Sequence, residues 1–147
     1  MIFDLISSLP GLFLLSFFSA TLLPGGSEAA FLTMASVTPY SPVTLVLVAS
    51  FGNILGSVAN YWLGRLAISY QDRKWFPASP ESLKKSQLWF SRWGQWAVLL
   101  AWMPIIGDPI TVAAGVMRMS FWRFTLLVTL SKTIRYMVLI GLFDLLV

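Results

Sequence analysis

The sequence predicts an all-α integral membrane protein, an inverted repeat in which each half is a re-entrant helical hairpin followed by a transmembrane helix. Three observations predict it. The chain is 57% hydrophobic and 11% charged, with a mean hydropathy of +0.77, too little polar side chain to coat a water-soluble domain of 147 residues. Two apolar runs are long enough to cross a bilayer. Four others are half that length and are broken by proline and glycine.

Taken in order, the N-terminal "MIFDLISSLPGLFLLSFFSATLL" lacks the basic start of a secretory signal and carries Asp4, so it reads as a retained segment with an amphipathic lead-in. Residues 11–23 and 27–37 would each reach only about 14 to 20 Å as helix. They flank "LLPGGSEAAF", where Pro24, Gly25 and Gly26 break the apolar run just before Glu28. Such a hairpin is tolerated at membrane depth only where protein or a wet cavity surrounds its irregular backbone. A rival topology makes residues 5–23 one full span. Residues 43–66 run about 36 Å as helix, enough for a core of about 30 Å.

The polar stretch that follows contains "WFPASPESLKKSQLWFSRW", which reads as a loop entering an interfacial amphipathic helix capped near Ser79 or Ser82. Residues 94–105 and 109–117 repeat the half-length pattern around Pro104, Gly107 and Asp108. Residues 120–143 form the second full span, again about 36 Å. A shift of 80 residues lays Pro24 on Pro104, Glu28 on Asp108 and the first span on the second. Each unit crosses the membrane once, so the two copies have opposite topology. The single membrane domain divides into repeat one at about 11–68, a loop and interfacial helix at about 69–93, and repeat two at about 94–147.

Charge supports the same layout. Of the 10 basic residues, Arg65, Arg73, Lys74, Lys84, Lys85 and Arg92 lie in or beside the central polar stretch. The positive-inside rule makes the loop at about 65–93 cytoplasmic, with both chain ends on the other side. No basic stripe interleaved with aromatics lies away from the membrane flank, which argues against nucleic acid. With no cysteine and no histidine, the chain excludes disulfides, thiol nucleophiles, Cys/His zinc sites and any Ser-His triad of its own. No cofactor or metal is expected.

Four charges fall at bilayer depth, where each costs about 2.5 to 3.5 kcal/mol on insertion scales and therefore needs a partner or water. Glu28 and Asp108 sit at the breaks of the two hairpins, and Lys132 and Arg135 share one face of the last span. Two acids and two bases are thus expected to converge near the midplane. Arg65, at the end of the first span, reads mainly as a snorkelling charge with a direct role as the alternative. Gly52, Asn53, Gly56, Asn60 and Gly64 make a small-polar stripe for close helix packing, in which Asn can bond backbone groups freed by the hairpins. Tyr61 and the tryptophans read as anchors and packing.

"LLPGGSEAAF", "FGNILGSVANYWLGRL" and "WMPIIGDPITVAAGVMRM" together resemble the DedA superfamily, also called the VTT or SNARE-associated Golgi protein family, and most closely its short YqaA branch. The similarity runs from about Ser19 to Tyr136, and its most specific parts are the proline-glycine-acid turn and the string of Gly52, Gly56, Tyr61, Gly64 and Arg65. It implies two opposed re-entrant hairpins, a bacterial inner-membrane location and a role in envelope homeostasis. It also implies proton-linked movement of polyprenyl phosphate or other lipids between leaflets. Ser57 stands where relatives commonly carry an acid, and Ile106, Gly107 and Asp108 stand where they carry an arginine.

With that resemblance, Lys132, Arg135 and Arg65 are expected to bind an anionic head group, and Glu28 and Asp108 to titrate or gate. The expected partners are membrane lipid, protons and, because two complete spans make a thin bundle, a second copy of the chain. Two other classes remain open, a small-ion or small-solute antiporter and a noncatalytic membrane scaffold whose charges only neutralise one another. A hydrolase is the weakest reading, since Ser27 beside Glu28 has no base to complete a mechanism.

Overall fold

The computed structural model describes residues 2–21, 26–66, 79–103 and 106–147. The readings placed on Pro24, Gly25, Pro104, Arg73 and Lys74 lie outside the described residues. Among the described residues all regular structure is helical: α1 (Ile2–Ile6), α2 (Leu9–Thr21), α3 (Gly26–Val37), α4 (Pro42–Leu66), α5 (Pro80–Trp93), a 3₁₀ segment (Gly94–Trp102), α6 (Gly107–Val116) and α7 (Phe121–Leu146). At 25 and 26 residues, α4 and α7 are long and apolar enough to cross a membrane. Their outer faces are covered with exposed apolar side chains such as Val43, Leu47, Phe51, Leu126, Leu130 and Ile134, a pattern suited to lipid rather than water as the solvent.

Local chemistry sets the helix starts. Ser8 accepts the backbone N–H of Gly11 on its Oγ at 3.2 Å and donates its own hydrogen to the Leu5 carbonyl at 2.6 Å. It therefore closes α1 and caps α2, with Pro10 in the first turn. Residues 5–23 consequently do not form one continuous helix, and the 13 residues of α2 reach only about 20 Å. Ser41 caps α4 in the same way, accepting the Thr44 N–H at 3.2 Å, and Pro42 takes the first helical position, where its missing donor costs nothing. Helix α5 begins at Pro80, just after Ser79, as the capping serine predicts.

The half-length segment after α5 departs from the expected α-helix. Its nine residues wind as 3₁₀, which rises about 2.0 Å per residue and so reaches about 18 Å instead of about 13.5 Å. Met103, at its end, is extended with φ −68° and ψ 134°, the conformation a following proline enforces.

Helix α4 is the centre of the packing. It contacts α2, α6 and α7, while the 3₁₀ segment packs on α7 and α6, and α3 packs on α2, α4 and α7. The approach to α2 is close because Gly52 and Gly56 carry no side chain: a Cβ there would run into the carbonyl oxygens of Phe13 and Phe17. At the other end, Gly64 of α4 and Gly115 of α6 meet the backbone of Val112 and Tyr61 respectively, so small residues serve both interfaces. Asn53 donates to the Ser16 carbonyl at 3.0 Å, and Asn60 to the Ala20 carbonyl at 2.7 Å. The second bond serves one of the carbonyls that the end of α2 leaves without a helical partner.

Candidate functional site

Both acids lie in the first turn of a short helix, Glu28 in α3 and Asp108 in α6, where the unsatisfied N–H groups favour negative charge. Both bases lie on α7, one turn apart. Lys132 Nζ donates to Asp108 Oδ1 at 2.9 Å, and Arg135 pairs with Glu28. The four predicted charges are therefore together, sorted into two pairs that tie each short helix to the same span.

The two pairs differ in surroundings. Lys132 is only 1% exposed, and the backbone around its partner is fixed from several sides. Thr111 donates its hydroxyl hydrogen to the Asp108 carbonyl at 2.6 Å and accepts from Asn60 Nδ2 at 3.2 Å. Ser131 donates to the Leu99 carbonyl at 2.9 Å, which holds α7 to the 3₁₀ segment beside Lys132. Gly107 sits so tightly under that segment that a Cβ would strike the Ala101 carbonyl.

The Glu28–Arg135 pair, by contrast, opens onto a groove of about 470 Å³ lined by Glu28, Trp102, Ile134, Arg135, Val138 and Leu139. Its walls are apolar, and Ile134 and Val138 are also exposed on the outer face of α7. One carboxylate oxygen, Glu28 Oε2, is buried and has no hydrogen-bond partner among the described residues. An ion pair at the foot of an apolar groove offers a cation to a charged head and hydrocarbon to a chain.

Two further residues position this pair. Tyr136, fully buried, donates to Ser27 Oγ at 2.8 Å, and the Ser27 N–H donates to Ser19 Oγ at 3.4 Å. The Tyr136 ring packs against Phe31 with centroids 5.2 Å apart. Sequence reasoning passed over Tyr136, and the signal available was a phenol next to Arg135 in an apolar span, where a buried hydroxyl needs a partner. Trp102 was read with the other tryptophans as an anchor and packing residue; it ends the 3₁₀ segment and lines the groove.

Arg65 is not brought to the four charges. Its Nη1 donates to the Tyr61 hydroxyl at 2.7 Å and its guanidinium lies 5.8 Å from the Trp62 ring centroid. Tyr61 in turn donates to the Met119 carbonyl and stacks on Phe124 at 4.7 Å, and Phe124 lies eight residues, about 12 Å of helix, before Lys132. Among the described residues, none lies within 4 Å of where a Cβ on Gly26 would be. Among the described residues no group of three acidic side chains comes together to hold a metal.

Comparison with known proteins finds relatives along most of the chain. The VTT domain model matches residues 23–145. The chain is 39% identical over 129 residues to the inner membrane protein YqaA of Escherichia coli K12, covering 88% of this chain and 86% of that protein. It is 34% identical to an uncharacterized protein of Haemophilus influenzae, covering 92% and 87%. It is 31% identical over 102 residues to undecaprenyl phosphate transporter A of Staphylococcus aureus, covering 64% of this chain and 50% of that protein. No solved structure matches the chain. With a family model spanning most of its length, the chain belongs to the VTT-domain (DedA) family and is a helical protein of the bacterial inner membrane.

Proposed function

We propose that the protein moves an anionic lipid, a polyprenyl phosphate or a phospholipid, between leaflets in support of envelope homeostasis. The observation that carries this reading is the groove in which Glu28 and Arg135 lie at the foot of apolar walls. A phosphate competes with Glu28 for the Arg135 guanidinium, whose planar fork suits it. The displaced carboxylate, left in apolar surroundings, is neutralised by a proton, which links head-group binding to proton uptake. Asp108 gates by holding or releasing Lys132, and Lys132 reaches a head group only when that buried pair opens. Arg65 acts at the cytoplasmic end, where a head group enters or leaves. The S. aureus relative's name supports polyprenyl phosphate as a substrate, and the protein acts as a transporter rather than an enzyme.

The architecture proposed for this task is an inverted repeat of two re-entrant hairpins, with units at about 11–68 and 94–147 and the basic region at about 65–93 cytoplasmic. Its support is the exchange visible in the packing. Helix α2 packs on α4 as the 3₁₀ segment packs on α7, while α3 reaches across to α7 and α6 reaches across to α4. Each hairpin thereby brings its second helix into contact with the other unit's span, with α3 also packing on α4. A homodimer completes the thin bundle.

The deciding experiment is reconstitution in liposomes with labelled polyprenyl phosphate and ordinary phospholipids, comparing the parent with Arg135→Ala and Glu28→Gln. Leaflet exchange in the parent that falls at least tenfold in both variants is expected. Unchanged exchange in both removes the site assignment. No exchange of any lipid in the parent favours the scaffold reading, which draws on both pairs being closed.

A further inference from the structure

A second groove, with none of the four charges in its lining, lies at the junction of α5 and the 3₁₀ segment. Gly94, with φ +61°, adopts the left-handed conformation that ends a helix and turns the chain. The turn sets Trp89, Arg92 and Trp93 of α5 against Trp96, Leu99 and Leu100 around a space of about 520 Å³. The Arg92 guanidinium lies 5.4 Å from the Trp93 ring centroid, and among the described residues it has no ion-pair partner. Phe90 and Ser86 face inward, whereas Leu88, Trp93 and Trp96 are 62%, 55% and 59% exposed.

Further cations lie on the elements that form this surface or reach them. Lys84 and Lys85 are exposed on α5, and Arg123 of α7 reaches Gln95 at 3.4 Å. Indoles and basic side chains mixed at the end of a membrane span belong at the depth of lipid head groups, where the anionic surface attracts each cation. The occupant favoured by this charge complementarity is a lipid of the adjoining leaflet rather than a protein.

We propose that this groove is a binding site for an anionic phospholipid, with the phosphate on Arg92 and the upper part of an acyl chain against Trp96, Leu99 and Leu100. The bound lipid holds α5 to the 3₁₀ segment and so steadies the element that ends in Trp102 at the transport groove. The site requires only that the chain be embedded in a bilayer, and stands whether or not lipid transport does.

The test is electron spin resonance of the full chain in phosphatidylcholine vesicles doped with spin-labelled phosphatidylglycerol or phosphatidylcholine. The parent is expected to immobilise phosphatidylglycerol in preference, and Arg92→Gln to cut that preference by about fivefold. Trp96→Ala should shrink the immobilised fraction, while Arg118→Gln, which removes an exposed cation outside the groove lining, should leave the preference intact. Circular dichroism melting of each variant identifies any that fails to fold. A preference unchanged in Arg92→Gln, or one lost only in the Lys84→Gln/Lys85→Gln double variant as diffuse attraction requires, overturns the proposal. So does disulfide cross-linking of two copies through Trp96→Cys, which would show the surface covered by another protomer.

Discussion

Tyr136 of α7 and Ser27 of α3 share a buried hydrogen bond of 2.8 Å although 109 residues separate them in the chain. The bond fixes α3 beside the base that its neighbour Glu28 pairs with. Tyr136→Phe and Ser27→Ala should each lower stability by about 1 to 2 kcal/mol, because each leaves the other group buried without its partner. The double variant should cost little more than either single one, and melting temperatures in detergent measure all three. Strict additivity would mean that the bond carries no stability.

Glycine positions on α4 and α3 make opposite predictions. Gly56→Leu drives a side chain into the Phe17 carbonyl and the Ala20 Cβ, and overpacking of that kind costs about 1 to 3 kcal/mol or more. Gly26→Ala meets nothing within 4 Å among the described residues and should be neutral or stabilising by up to about 1 kcal/mol. Thermal unfolding of the two variants side by side checks the contrast.

Breaking the buried pair should cost more than replacing it. Lys132→Met alone or Asp108→Leu alone leaves one charge in the bundle without its partner, at about 3 to 5 kcal/mol, whereas the double substitution should recover most of the loss. If the double variant folds and still exchanges lipid, this pair is a strut; if it folds and exchange stops, Asp108 and Lys132 belong to the transport cycle.

Topology is open to labelling in cells. With a re-entrant first hairpin, Ser36→Cys, on the exposed side near the end of α3, should react with a membrane-impermeant maleimide added from outside. Ser27→Cys, at a position 1% exposed in the parent, should be protected until the protein is denatured. Equal labelling of both positions would place the hairpin tip in water.

The parts of this molecule governed by solvent and by charge balance were the legible ones. Composition demanded a bilayer, run length separated α4 and α7 from the short helices, and the cost of charge in hydrocarbon directed Glu28, Asp108, Lys132 and Arg135 toward one another. Pairing was not legible, because a spacing of three residues puts both bases on one face without saying which acid each meets. The placing of Arg65 against Tyr61 rather than near Lys132 depends on how α4 and α7 cross, which no local pattern encodes. Tyr136 escaped notice because a single hydroxyl leaves no periodic trace.

The 3₁₀ segment sets the position of one wall of the Glu28–Arg135 groove through Trp102. Were Gly94–Trp102 to rewind as α-helix, nine residues would shorten by about 4.5 Å and the far end would swing by roughly half a turn. The wall of the groove could then be withdrawn by a change of pitch alone, with neither spanning helix moving. The chamber's aperture is in this sense set by how tightly one short coil is wound.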